Sequence, residues 1–239
     1  MKRLLVWLLL VGAVGCGGPQ TEEEAIAALK KLEAECWLND QQEVVAIGYD
    51  GPKSTDAGLV HFKLLPNLHT LYLGKSKITD AGLVHLKGLT NLKELHLHGT
   101  EVTDAGLVHI KGLTELKTLI LSEQITDAGL VHLKELTKLK SLNLISTQIT
   151  DAGLEHLKGL TNLQSVLLPG QITDVGLAHL KGLTKLQGLN LTGTQITDAG
   201  LVHLKGLTKL WGLNLMDTQI TDAGVDELQK ALPNCKIYH

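Results

Sequence analysis

Histidine is the residue whose type and spacing most suggest chemistry in this sequence. Seven histidines recur at intervals of 23 or 24 residues: His61, His85, His109, His132, His156, His179 and His203. Imidazole is a common metal ligand. A mononuclear zinc site, however, needs three or four ligands that converge on one point, whereas these histidines would be spaced along a line. We therefore interpret this histidine column as a structural feature of a repeat and predict neither a metal nor a cofactor there.

A second histidine-rich group breaks the regular pattern. His96 and His98 lie two residues apart, which puts them on one face of a strand and about 7 Å from each other. His69 and Tyr72 belong to the neighbouring predicted strand, and Glu94 is the only carboxylate close by. A metal-binding module that uses His96 and His98 is therefore kept as an alternative, but the group lacks the converging ligands or the acid–base pair of an active site. The sequence also has no phosphate loop, no G-x-S-x-G elbow and no C-x-x-C pair, so we predict no catalytic residues.

The elements that position these side chains come from one repeated stretch, T-D-A-G-L-V-H-L-K-G-L-T, seen at Thr79–Thr90. Its Asp recurs at Asp56, Asp80, Asp104, Asp127, Asp151, Asp174, Asp198 and Asp222. A fixed period of 20 to 50 residues indicates a solenoid. Each repeat pairs an L-x-x-L-x-L strand with a short helix in which Thr is the N-cap and Asp faces the helix dipole. The recurrent Gly lowers helix propensity by about 1 kcal/mol, so it predicts a close approach to a neighbouring repeat.

The two ends of the array differ from its interior. Thr21 to Glu24 forms a capping box, and the helix that follows is expected to run to about Cys36. We predict an N-terminal capping helix within residues 21–40 and a solenoid over 41–239, with eight T-D-x-G repeats and a terminal strand. Cys36 and Cys235 would then lie roughly 40 Å apart. A disulfide needs Cα atoms within about 7 Å, so no bridge is expected.

Residues 1–15 read as a secretory signal peptide. Lys2 and Arg3 precede the apolar run Leu4–Val14, which is shorter than the roughly 20 residues that a membrane span requires. The sequence Ala13-Val14-Gly15-Cys16 resembles the lipobox of bacterial lipoproteins. This resemblance implies cleavage before Cys16, lipidation of Cys16, a linker over 16–20 and a membrane tether. Gly17 in place of Asp implies an exported protein at the outer membrane or the periplasmic face. The alternative is a plain signal peptide.

The charge balance excludes some partners. The sequence has 22 basic and 25 acidic residues, and loss of Lys2 and Arg3 would leave a formal charge of −5. Nucleic-acid binding is associated with a basic stripe, and the mild acidic balance favours solubility. We predict no nucleic acid and no small-molecule substrate, and we interpret the recurrent lysines and aspartates as helix caps and a solvated face.

The repeat resembles the leucine-rich repeat. Its T-D-A-G-L helix start is similar to that of F-box leucine-rich-repeat proteins, bacterial GALA-type effectors and planctomycete lipoproteins, and Leu232–Ile237 resembles the usual end of the planctomycete chains. Over residues 44–239 this implies an α/β horseshoe, with parallel strands on the concave face and short helices on the convex face. No F-box precedes the repeats, so a ubiquitin-ligase role is not implied.

One departure from that family concerns the turn after each strand. The usual Asn is replaced by the hydroxyl residues Ser76, Thr100, Thr147, Thr194 and Thr218. A ladder of hydroxyls between adjacent turns is expected to do part of its work. The two 23-residue repeats delete one residue at this turn, which predicts a local change of curvature.

Function is expected where the repeats differ, on the concave face. We predict a non-enzymatic protein-interaction scaffold, lipid-anchored at the bacterial cell envelope, with an unknown protein partner. The alternative is a structural envelope protein in which the solenoid is a spacer. The candidate partner-binding residues are Tyr72, Glu94, His96, His98, Ile120, Asn143, Leu167, Asn190, Trp211, Asn214 and Met216. Trp211 is either a binding hot spot or a cover for the end of the solenoid.

Overall fold

The sheet of this protein runs in strict chain order. The computed structural model describes Lys2–Arg3 and residues 20–239, so the predicted signal peptide and Cys16 lie outside the described residues apart from those two positions. Eleven strands form one sheet in the order in which they occur in the sequence. From Val44–Gly48 onward all neighbours pair in parallel, and the first three strands pair antiparallel. The predicted solenoid is confirmed.

Every repeat contributes one short strand and about two tight helical turns. The strands are β1 Lys2–Arg3, β2 Glu35–Leu38, β3 Val44–Gly48, β4 Thr70–Tyr72, β5 Glu94–His96, β6 Thr118–Ile120, β7 Ser141–Asn143, β8 Ser165–Leu167, β9 Gly188–Asn190, β10 Gly212–Asn214 and β11 Lys236–Tyr238. The α-helices are α1 Glu22–Lys31, α2 Asp56–Leu59, α3 Asp80–Leu83, α4 Asp104–Leu107, α5 Asp127–Leu130, α6 Asp174–Leu177 and α7 Asp222–Ala231. Segments of 3₁₀-helix are Phe62–Leu64, Val84–Leu86, Val131–Leu133, Gly153–Leu157, Ala178–Leu180 and Gly200–His203.

The N-terminal cap is a helix followed by an antiparallel strand. Thr21 accepts a hydrogen bond from the Glu24 backbone, as the capping box predicts. The expectation that the helix continues to Cys36 is wrong, because α1 ends at Lys31. Glu33 takes a left-handed conformation with φ of 66°, and the Ala34 N–H returns to the Leu29 carbonyl, which closes the helix end. Cys36 therefore lies in β2.

A single apolar core runs the length of the array. The leucines of the L-x-x-L-x-L pattern and the leucines of the short helices are buried in one continuous cluster. In the first repeat Tyr49 replaces leucine and is 2% exposed. Because one helix turn cannot persist alone, these helices depend on stacking against their neighbours.

The Asp of each repeat binds the following repeat. The Asp80 carboxylate accepts the backbone N–H of Thr103 at 2.7 Å and its hydroxyl at 2.6 Å. The same pair of bonds recurs from Asp56, Asp104, Asp127, Asp151, Asp174 and Asp198 to Thr79, Thr126, Thr150, Thr173, Thr197 and Thr221. The interpretation of this Asp as a helix cap on a solvated face is therefore corrected: its carboxylate links repeats.

This bond also explains the recurrent glycine. A Cβ on Gly106 would lie 2.4 Å from Asp80 Oδ1, and the equivalent glycines meet the preceding Asp in the same way. The predicted close approach is confirmed. Gly58 in the first repeat has no preceding Asp, and Tyr49 takes that place. A Cβ on Gly58 would meet the Tyr49 ring at 2.4 Å, and the Tyr49 hydroxyl accepts the Thr55 N–H at 3.3 Å.

The turns after the strands are stabilised within each repeat. Ser76 Oγ donates to the Leu73 carbonyl at 2.6 Å, and the other hydroxyl residues of this position bond the same carbonyl of their own repeats. The expected hydroxyl ladder between repeats is therefore not formed by these residues. Each such turn also holds one residue at positive φ, namely Lys75, Gly99, Ser146, Gly193 or Asp217.

The two 23-residue repeats lack that positive-φ residue. Instead their turns bond the preceding repeat: Ser122 Oγ donates to the Thr100 carbonyl at 3.1 Å, and Gln171 Nε2 donates to the Thr147 carbonyl at 2.9 Å. The sheet register continues through both repeats without a bulge. The deletion is therefore absorbed by the turn and leaves the strands in line.

Cys36 and Cys235 are free thiols, as expected from their positions at opposite ends. Burial raises the pKa of both thiols above the usual value. Among the described residues, no helix has the length and apolarity that crossing a bilayer requires.

Candidate functional site on the concave face

Two columns of side chains run side by side along the concave face. The first column takes the last residue of each strand, and strand pairing places its members next to one another: Gly48, Tyr72, His96, Ile120, Asn143, Leu167, Asn190, Asn214 and Tyr238. The second column holds Ala46, Thr70, Glu94, Thr118, Ser141, Ser165, Gly188, Gly212 and Lys236. Seven of the predicted residues thus form one continuous row, and Glu94 lies in the row beside it.

The N-terminal end of the first column is aromatic. The Tyr72 and His96 rings meet edge to face, with centroids 4.7 Å apart at 87°. On the other side of Tyr72, Trp37 from β2 makes a second edge contact, with centroids 6.1 Å apart. Such geometry is favoured by the ring quadrupoles. All three side chains are half-buried and together with Ile120 they present an apolar surface.

Glu94 is the only acid in the second column, where it lies between Thr70 and Thr118. It raises the pKa of Tyr72 in addition to the larger effect of burial. Burial lowers the pKa of His96, although Glu94 opposes that shift and His98 adds to it. Burial and then Lys93 lower the pKa of His69, whose Nδ1 lies 3.2 Å from Thr70 Oγ1. Both shifts favour the neutral form of the imidazole at His69 and His96.

His98 lies in the turn after β5, two residues beyond His96, and its ring covers Gly74 of the preceding repeat. A Cβ on Gly74 would lie 2.4 Å from His98 Cε1, so the imidazole fills the space that the glycine leaves. His98 Nδ1 is buried without a hydrogen-bond partner. No group of three or more His, Cys, Asp or Glu residues within the described part of the chain is placed to hold a metal ion. The contacts of His98 are accordingly those of a packed side chain.

The C-terminal end of the first column carries amides. Asn143, Asn190 and Asn214 each use the side-chain oxygen to accept the backbone N–H two residues later, at 2.9 to 3.0 Å. This bond fixes each side chain at the strand end. The amide nitrogens form no hydrogen bond with another described residue, so they remain available as donors on the concave surface.

A shallow depression of about 260 Å³ lies at this end. Leu167, Asn190, Asn214 and Tyr238 line it on one side, and Gly188 and Gly212 leave backbone uncovered on the other. A Cβ on Gly212 would have no neighbour within 4 Å. The depression therefore offers amide donors and backbone beside an aromatic ring, whereas the opposite end of the face is aromatic and apolar.

Besides His98, two predicted residues lie outside the columns. Met216 is 49% exposed in the turn after β10, and Trp211 is 65% exposed just before β10. The Trp211 backbone is held on both sides, by the Gln187 carbonyl and the Lys236 N–H, each at 2.9 Å. An indole this exposed does not close the end of the core, which decides against the covering role.

The histidine column lies on the helical side of the solenoid. Its members are half-exposed except His156, which is exposed. His61 and His109 each hold a buried Nδ1 without a partner. Burial lowers the pKa of both, and the nearby Lys63 and Lys87 lower it further.

Sequence reasoning missed two residues of the concave face. Tyr238 follows Asn214 by one 24-residue period, so the repeat itself could have identified it. Trp37 could not be found in that way, because β2 lies outside the repeats and reaches Tyr72 through an antiparallel pairing.

Comparison with known proteins gives the same architecture. A sequence profile described as "Leucine Rich repeat" matches residues 88–110, 135–158, 182–204 and 207–228. The crystal structure of internalin C2 from Listeria monocytogenes is 30% identical, with a TM-score of 0.66 over 89% of this chain and 90% of that chain. This chain belongs to the leucine-rich-repeat proteins. A leucine-rich-repeat protein of Leptospira interrogans is 26% identical, with a TM-score of 0.58 over 75% of this chain and 45% of that chain. Among curated proteins, none matches this sequence significantly.

Leucine-rich-repeat proteins generally act as protein-interaction modules, and their strands present variable side chains on a constant frame. In this leucine-rich-repeat protein the frame consists of the Asp–Thr bonds and the core leucines. The two concave columns carry the residues that differ from repeat to repeat.

Proposed function

We propose that this chain is a non-enzymatic interaction scaffold that binds a protein partner on its concave face and is held at the bacterial cell envelope by lipid on Cys16. The observation that carries the proposal is the unbroken first column from Tyr72 to Tyr238, which begins with aromatic rings and carries amides toward its C-terminal end, where Tyr238 closes it. Binding energy at such surfaces is concentrated in a few aromatic residues within a wider complementary area.

The two ends of the column suit different parts of one extended partner. The edge-to-face rings of Tyr72 and His96 leave an apolar surface next to a single carboxylate, which fits an apolar or basic side chain. The amides of Asn190 and Asn214 line a depression with exposed backbone, which fits the carbonyl groups of a peptide chain.

The proposal is tested by substituting the concave face and leaving the convex face as the control. Tyr72→Ala, His96→Ala and Ile120→Ala combined, with Trp211→Ala as a separate variant, are compared with Val84→Ala and Val202→Ala on the helices. Val84 and Val202 are 43% and 58% exposed, so their replacement preserves the fold. Partners are captured from native envelopes by cross-linking. Loss of a partner from the concave variant alone supports binding there. Identical partners in both variants would overturn it and favour the spacer role.

The lipid anchor is tested separately. Mass spectrometry of the N-terminal peptide after expression in a bacterial host should find acyl groups on Cys16, and Cys16→Ser should move the protein from the membrane to the soluble fraction. An unmodified Cys16 thiol in the mature chain would reject the anchor while leaving the concave-face proposal intact.

A further inference from the structure

The lysines of this protein are concentrated on one side of the solenoid. Twelve of them lie in the segments that lead from the helical part of a repeat into the next strand, and we call them the basic rim: Lys87, Lys93, Lys111, Lys117, Lys134, Lys138, Lys140, Lys158, Lys181, Lys185, Lys205 and Lys209. Every one of them is exposed. The acids in the same segments are Glu115 and Glu135.

The opposite side has the reverse charge. The segments that lead from each strand to the next helix hold Asp50, Glu101, Glu123 and Asp217, and the linking aspartates lie at the helix starts that follow them. Lys53, Lys75 and Lys77 are the lysines on that side. The small negative net charge of the chain therefore conceals two oppositely charged rims.

Three lysines of the basic rim, at the strand entrances, are stacked by the sheet. The Lys117 N–H donates to the Lys93 carbonyl at 2.7 Å, and the Lys140 N–H donates to the Lys117 carbonyl at 2.8 Å. Lys93, Lys117 and Lys140 are therefore one strand spacing apart, about 4.8 Å. Within residues 20–239, only Lys138 and Lys158 of the rim form ion pairs, with Glu115 and Glu155. The other rim lysines form no ion pair with a residue of this range.

Trp211 lies in this rim. It takes the position that Lys93, Lys117 and Lys140 take in earlier repeats, its backbone is bonded on both sides, and its side chain is 65% exposed. An exposed indole beside lysines has the amphipathic character of residues that settle at the interface between water and lipid.

We propose that the basic rim docks on a membrane surface of anionic phospholipids, with the Trp211 indole at the headgroup level. The loops on one side of an arc of parallel strands end close to a common plane, so the rim meets a flat surface, whereas the concave and convex faces do not. Juxtamembrane lysines are attracted by anionic headgroups. Residues 20–239 include no arginine, the side chain suited to bidentate recognition of a discrete phosphate. Lysines spread along the rim suit a diffuse anionic surface.

Docking through the rim would leave the concave face open to its partner. The first column runs along the strand ends, and the rim lies at the strand entrances. The inference therefore goes beyond the proposed scaffold function and does not depend on lipidation of Cys16.

The test uses full-length protein with Cys16→Ser in every sample, so that no acyl chain contributes. Binding is measured by sedimentation with vesicles of phosphatidylcholine alone or with 30% phosphatidylglycerol. The readout is the ratio of anionic to neutral binding, because segments shared by all variants contribute equally. The rim variant replaces Lys93, Lys117, Lys140 and Lys209 with Gln. The matched control replaces Lys30, Lys53, Lys75 and Lys77 with Gln and has the same net charge.

We expect the rim variant to lose on the order of 100-fold in binding to anionic vesicles, since each lysine near such a surface contributes several-fold, while the control stays near the parent. Raising the salt should abolish the difference. Anionic vesicles should shift the tryptophan emission to the blue, and Trp211→Phe should reduce that shift relative to the parent, since Trp7 and Trp37 contribute equally to both proteins. Tyr72→Ala should bind vesicles normally even where it loses a protein partner.

Three results would overturn the proposal. One is an equal loss in the rim and control variants, which would show a response to net charge alone. Another is equal binding of the parent to neutral and anionic vesicles. The third is binding to duplex DNA at a salt concentration that releases the protein from vesicles, since that would assign the rim to a nucleic acid. Circular dichroism of each variant confirms that the exposed substitutions leave the fold unchanged.

Discussion

The Asp127 carboxylate accepts both the backbone N–H and the hydroxyl of Thr150, at 2.8 and 2.6 Å. Thr150 precedes a repeat whose helical segment is entirely 3₁₀, from Gly153 to Leu157. The two bonds nevertheless keep the lengths found where an α-turn follows. The link between repeats is therefore independent of the type of helix that it precedes.

Removing this carboxylate should destabilise the array. We expect Asp127→Ala to lower the free energy of unfolding by about 2 kcal/mol, since hydrogen bonds to charged groups contribute about 1.5 to 3 kcal/mol. Asp222→Ala is the control. Asp222 has the same place at a helix start, but its side chain is fully exposed and its contact is His239 at 3.4 Å. That variant should lose clearly less, since only an exposed interaction with the helix dipole is removed. Urea unfolding measures both, and equal losses would show that the helix dipole is the dominant effect.

Two glycines of one repeat should respond in opposite ways to alanine. Gly106→Ala would place a Cβ 2.4 Å from Asp80 Oδ1, so we expect a loss of about 1 to 3 kcal/mol from overpacking. A Cβ on Gly112 meets nothing within 4 Å, and its φ is not positive. Gly112→Ala should therefore be neutral or stabilise by up to about 1 kcal/mol. Thermal denaturation of the pair checks this, and a stable Gly106→Ala protein would contradict the role assigned to the Asp–Gly contact.

The turn glycines separate backbone strain from crowding. Gly193 has φ of 70° and open space around a Cβ, whereas Gly99 has φ of 66° and would place a Cβ 3.1 Å from the Lys75 Cα. Gly193→Ala should cost about 1 kcal/mol for the left-handed conformation. We expect Gly99→Ala to cost more, because the contact adds to the strain. Chemical denaturation decides the order, and a larger loss for Gly193→Ala would show that the Lys75 backbone can move aside.

Stability should fall as the pH drops through the histidine range. The pKa values of His61, His69, His96 and His109 are lowered in the folded protein, chiefly by burial. The unfolded chain, with an ordinary pKa of about 6.5, therefore binds more protons below neutrality. The stabilisation is complete above the unfolded value and is lost as the pH falls from about 6.5 toward the lower folded values.

Urea midpoints at pH 7.5 and pH 5.5 measure this effect. His109→Gln should reduce the difference between the two midpoints by removing one such group. A midpoint that rises at pH 5.5 would contradict the direction of these shifts.

The solenoid and its strands could be predicted because the L-x-x-L-x-L and T-D-x-G patterns recur in successive repeats. It could not predict the partner of Asp80, since a strictly periodic sequence looks the same whether a side chain bonds its own helix or the next repeat. The early end of α1 depends on Glu33 in a left-handed conformation. The sequence did not indicate it, because helix ends of this kind usually have Gly or Asn at that position. Trp37 lies outside the repeat period, so only the fold brings it to Tyr72.

The charged rims were hidden for a different reason. Lys87 and Lys93 occupy separate positions of the repeat, one at the helix end and one at the strand entrance, and the overall charge is slightly negative. The fold turns the chain so that both positions lie on the same side. The net charge of the sequence therefore does not show that the lysines and the acids lie on opposite sides of the folded chain.

The Asp–Thr link also makes the array tolerant of changes in length. Each interior repeat supplies the carboxylate for its successor and the Thr and Gly that receive the carboxylate of its predecessor. If residues 80–103 were removed, Asp56 would still bind Thr79, and Asp104 would follow Thr79 directly and still bind Thr126. If the segment were duplicated, each copy would contribute one further Asp–Thr pair. The number of repeats can thus grow or shrink by unequal recombination, and every Thr still receives a carboxylate. The first repeat is the exception, because Tyr49 occupies the place of the carboxylate there.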